Sequence, residues 1–72
     1  MTRELTPEER RAVAALKRLA KTWPSTLWLF SASGSLNVMQ KDENLARVRR
    51  GDAIDPDMAV ATIDIENDGG DW

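Results

Sequence analysis

Neither cysteine nor histidine occurs in this 72-residue chain, and that double absence constrains its fold more than any other feature. A domain of this length buries only about 60% of the surface its unfolded chain exposes, so its stability is marginal unless something reinforces the core. Disulfides, a cysteine–histidine zinc site and every thiolate- or imidazole-based catalytic arrangement are excluded together. Association with another chain is the reinforcement that remains. The length suits one domain, residues 1–72, without a second core.

The N-terminal third predicts a helix over about residues 7–22. Thr6 with Glu9 three positions on forms a capping box, and Pro7 falls at the first helical position, where a missing N–H costs nothing. Ala12, Val13, Leu16, Leu19, Ala20 and Trp23 recur three and four apart, which gathers them on one stripe. Glu8 and Glu9 near the start and Lys17, Arg18 and Lys21 near the end complement the macrodipole. Pro24 ends the helix, because the residue before a proline is pushed out of the helical region.

A change of period follows. Residues 26–32 are aromatic and β-prone, residues 36–41 alternate apolar with polar, and Ser33-Gly34 between them suits a two-residue hairpin loop. That loop pairs Ala32 with Ser35, Phe30 with Asn37, Leu29 with Val38 and Trp28 with Met39. Residues 42–55 are open to two readings, a short helix with Gly51 just past its end or a charged excursion between strands. Asp55-Pro56-Asp57 signals a turn, and β character returns from Met58 to Ile65. The expected fold class is α+β, one N-terminal amphipathic helix packed on an antiparallel sheet of about three strands, in the order helix, hairpin, excursion, strand.

The hairpin is apolar on both sides, with Leu27, Leu29, Leu36 and Val38 on one and Trp28, Phe30, Ala32 and Met39 on the other. One helix covers only one face of a sheet. The second face therefore needs the 42–55 excursion, the tail or another protein. Trp28, Phe30 and Met39 are accordingly the candidate interface residues, and Trp72 joins them as either a self-packing plug or a partner anchor. If that face stays open, a two-fold homodimer is expected.

Chemistry-bearing patterns are thin. Asp64, Glu66 and Asp68 before Gly69 resemble the first half of a calcium loop, but the closing glutamate would fall beyond Trp72, so exposed acids leading into a turn are the favoured reading. Carboxylates are plentiful, yet a chain this small offers no deep cleft to raise one pKa. Ser31, Ser33 and Ser35 surround a hairpin glycine and read as turn residues. No catalytic residue, metal site or cofactor is expected.

Net charge is −2, but residues 1–50 hold all ten Lys and Arg against five acids, a balance of +5, while residues 51–72 hold seven acids and no base. This polarity either serves two partners or lets the acidic end fold back on the basic helix, and the small core favours the second. Arg10, Arg11, Lys17, Arg18 and Lys21 could touch phosphates, with Arg47, Arg49 and Arg50 extending the patch. A pI near 5.0 and the lack of aromatic–basic interleaving make nucleic acid the lesser expectation. Apolar runs such as Leu27–Phe30 are short, so neither a signal peptide nor a membrane span is expected, and the cytoplasm is the expected location.

Two stretches, residues 23–39 and residues 63–72, resemble small uncharacterised proteins of bacteriophages and prophages, in which a Trp-Leu-Phe strand, a short hairpin and a terminal Asn-Asp-Gly-Gly-Asp-Trp recur. The two stretches cover a little over a third of the chain, and the motifs here are Trp28-Leu29-Phe30 and Asn67 to Trp72. The resemblance implies a phage accessory protein in the host cytoplasm and transfers no activity or site residue. With the residue-level reading, it leads to a non-catalytic protein that binds another protein, as a modulator of a host system. A nucleic-acid-binding regulator and a minor virion or assembly component are the alternatives.

Overall fold

The computed structural model describes residues 2–32 and 34–70. Helix α1 spans Pro7–Thr22, the expected range. Its capping box is closed on both sides: the Glu9 N–H donates to Thr6 Oγ1 at 3.1 Å and the Thr6 N–H to Glu9 Oε1 at 2.8 Å. Arg3 grips the same carboxylate through both guanidinium nitrogens, at 2.7 and 2.6 Å. At the other end Trp23 is extended (φ −64°, ψ 125°), as Pro24 requires.

Strands β1 (Leu27–Ala32) and β2 (Ser35–Gln40) form the antiparallel hairpin in the expected register, from Ala32 opposite Ser35 to Leu27 opposite Gln40. Gly34 takes φ +80°, which the tight loop demands and glycine accepts without strain.

Between residues 42 and 55 the chain forms a charged excursion and no helix. The Asp42 carboxylate accepts the Asn44 and Ala46 N–H groups at 2.8 and 2.9 Å, so this side chain satisfies amides that a helix would have used. A short hairpin follows, β3 (Arg49–Arg50) against β4 (Ala53–Ile54), with Gly51 at φ +64° in its turn instead of closing a helix. Arg50 holds Asp55 at 3.1 Å and also pairs with Asp57. Asp55 in turn caps the single 3-10 turn Pro56–Met58.

Strand β5 (Ala59–Ile63) adds to β2, giving the sheet order β1-β2-β5. Its register, Leu36 opposite Ile63 and Val38 opposite Ala61, shifts between Val38 and Met39. The architecture is α+β, one helix with a three-stranded antiparallel sheet and a two-stranded accessory hairpin.

The core lies on the Trp28–Met39 side of the sheet, where Met39 is 0% exposed and Ala32, at the loop end of the same side, is also buried. Asn37 is buried on the same side, its amide N–H groups directed at the Phe30, Ser35 and Ala32 carbonyls (3.2, 3.4 and 3.5 Å) and its oxygen accepting from Thr62 Oγ1 at 3.1 Å. Helix α1 lies by the opposite face, bordering Leu29, and none of its residues is buried. The molecule is accordingly open and long, 43 × 25 × 21 Å, with a radius of gyration of 14.5 Å. A chain of this length packed to ordinary density has a radius near 11 Å.

Candidate protein-binding surface

The sequence places the apolar residues of α1 on one stripe, and the structure leaves that stripe in solvent. Leu16 is 63% exposed, and Val13 and Leu19 are both more than 40% exposed. Two grooves run along it. One, about 250 Å³, is lined by Leu16, Leu19, Ala20, Trp23 and Leu29. The other, about 380 Å³, is lined by Ala12, Val13, Ala15, Leu16, Leu19 and Ile65. Leu16 and Leu19 border both, so they form the ridge between them. No lining residue is charged, and the one polar group, the Trp23 indole N–H, already donates to the Leu27 carbonyl at 3.0 Å.

The sheet continues this apolar side. Leu29, Val38 and Ala61 lie in one row across the three strands, and Leu36 and Ile63 pair in the next. Leu29 and Ile63, on its outer strands, are exposed.

Of the four candidate residues, Trp28, Phe30 and Met39 fall on the other side of the sheet. Met39 is fully buried and offers nothing to a partner. Trp28 and Phe30 are half-buried, their rings tilted at 5.5 Å between centroids, with the Arg47 guanidinium 4.4 Å from the centre of the Trp28 ring. The 42–55 excursion therefore covers this face from within the chain, one of the coverings the sequence allowed. Trp72 lies outside the described residues.

The tail closes over the hairpin end by polar contacts that sequence reading missed. Ser31 Oγ donates to Asn67 Oδ1 and accepts the Gly69 N–H at 3.1 Å, while Asn67 Nδ2 reaches the Gly34 carbonyl at 3.3 Å. Ser31 was legible only as a turn residue because its partners lie more than thirty positions away. Asn37 could have been found: the register puts it opposite Phe30, on the Trp28–Met39 side, and a polar residue there needs satisfied partners.

Charged groups form small local sets. Among the described residues the ion pairs are Arg3–Glu9, Arg50–Asp55 and Arg50–Asp57. Among the described residues none of these pairs joins the acidic tail to the basic helix face. Arg3 and the Thr6 N–H hold the Glu9 carboxyl down to about 2. Arg47 and Arg50 are engaged within the chain and do not extend the basic patch of α1. Among the described residues no group of three acidic side chains gathers as a metal site, and no helix is long and apolar enough to cross a membrane.

No protein-family model matches this chain, and neither a curated protein nor a solved structure is similar enough to it to count as a match.

Proposed function

We propose that this chain is a small, non-catalytic accessory protein that acts by binding another protein through the apolar side of α1 and the adjoining sheet face. The observation that carries the reading is the exposed Leu16–Leu19 ridge with an uncharged groove on each side. A contiguous apolar surface of this kind marks an interaction site when it is larger than monomers ordinarily tolerate. The resemblance to bacteriophage and prophage proteins supports a place in the host cytoplasm and a host system as the object of binding.

Co-purification of three tagged forms from the same cells, wild type, Leu19→Glu and Arg18→Glu, tests the reading. A protein retained by the wild type, a second copy of the chain included, should be lost with Leu19→Glu and kept with Arg18→Glu. Equal recovery by all three forms refutes it.

A second reading, nucleic-acid binding, rests on the exposure of Arg10, Arg11, Lys17, Arg18 and Lys21. Phosphate binding weakens steeply as salt rises. Absence of binding to duplex or single-stranded DNA at low salt removes it.

A further inference from the structure

We propose that the occupant of the apolar side is a second copy of this chain, the two packing α1 against α1 about a two-fold axis. The inference rests on the protein-binding reading and names its partner.

Area is the first argument. The chain exposes 5862 Å², whereas a folded monomer of 8.1 kDa exposes about 4,500 Å². The excess, about 1,400 Å² over the whole open molecule, is more than the roughly 800 Å² that each partner gives up in a standard interface, so the chain has surface to spare for one.

Shape is the second. A ridge flanked by grooves on both sides is complementary to itself, since the Leu16–Leu19 ridge of one copy can lie in a groove of the other while the reciprocal contact forms. A two-fold axis needs only one such patch, used twice.

Chemistry is the third. The grooves carry no charge and no free polar group to orient a foreign partner. Such a dry surface has the composition of an obligate interface, which resembles a domain core cut in half. Helices in proteins draw most of their stability from packing an amphipathic face, and none of the residues of α1 is buried, so a second α1 would also supply the burial that its own sheet does not.

Sedimentation up to the solubility limit is the primary test. The wild type should sediment at twice the 8.1 kDa chain mass, and Leu16→Glu should halve that mass. Because the chain has no cysteine, single thiols give a second reading that does not depend on the charged variant folding. Leu16→Cys, in the ridge, should form a disulfide-linked dimer on mild oxidation; Arg18→Cys, two residues on and on the other side of the helix, should not. A wild-type monomer at the highest soluble concentration overturns the dimer, as does equal cross-linking of the two cysteine variants. In the monomer case an apolar dye separates the two ideas. Dye binding lost in Leu16→Glu leaves the surface to a foreign protein and keeps the protein-binding reading, whereas no dye binding ends that reading too.

Discussion

The guanidinium of Arg47 lies over the indole of Trp28, 4.4 Å from the ring centre. One contact thus brings the charged excursion back onto the hydrophobic hairpin and shields a face that would otherwise be wet. It also separates the two sides of the sheet, one covered from within and the other left open beside α1.

Removing that cover should be felt. Arg47→Ala is expected to lower stability by about 0.5–1 kcal/mol, the ordinary strength of a cation over an aromatic face near the surface. Urea unfolding followed by far-UV circular dichroism measures it, and Arg47→Lys should recover part of the loss because the stem and the charge remain. An unchanged midpoint in Arg47→Ala would mean the stacking contributes nothing.

Asn37 should be far less tolerant. Its amide N–H groups face three backbone carbonyls while Thr62 donates to its oxygen. Asn37→Asp keeps the shape but points a carboxylate at those carbonyls, so a loss of at least about 2 kcal/mol is expected at neutral pH, smaller in acid, where the group is protonated. Denaturation at the two pH values checks both the size and the sign.

The tail clasp depends on a glycine with no room for a side chain. A Cβ on Gly70 would stand 2.7 Å from the Ser31 carbonyl oxygen, a backbone atom that cannot swing aside. Gly70→Ala should therefore displace the tail from the hairpin end, seen as faster hydrogen exchange at the Gly69 amide that now donates to Ser31. Gly51→Ala strains its own turn, where φ is +64°, but its added Cβ meets nothing within 4 Å, so the Gly69 amide should stay protected.

The helix start should weaken in acid. Glu9 is held down to about 2 by Arg3 and by the Thr6 N–H, below the usual value near 4.3 of an unfolded glutamate. Its folded-state pKa is the lower one, so its contribution is fully present above the unfolded value and is lost as pH falls from there toward about 2. Glu9→Gln should flatten the dependence of helix content on pH across that window and lower helix content near neutrality, where the ionised carboxylate of the wild type is fully effective. An identical acid profile in the two proteins would rule out the Arg3–Glu9 grip as its source.

What the sequence determined by itself was local. Thr6, Pro7 and Glu9 start α1, Pro24 stops it, and the two-residue loop between Ala32 and Ser35 fixes which residues face each other across the hairpin. Each depends on neighbours a few positions away, so short-range sterics and hydrogen bonding settle it. Which face of the sheet would be covered was a different kind of question. It turned on whether Asp42 bonded loop amides or let a helix continue, on Arg47 reaching Trp28, and on Ser31 finding Asn67. The stripe of α1 was legible in its spacing, but its exposure was not. Periodicity shows that a face is apolar, while only the packing of distant segments decides whether this chain or another one covers it.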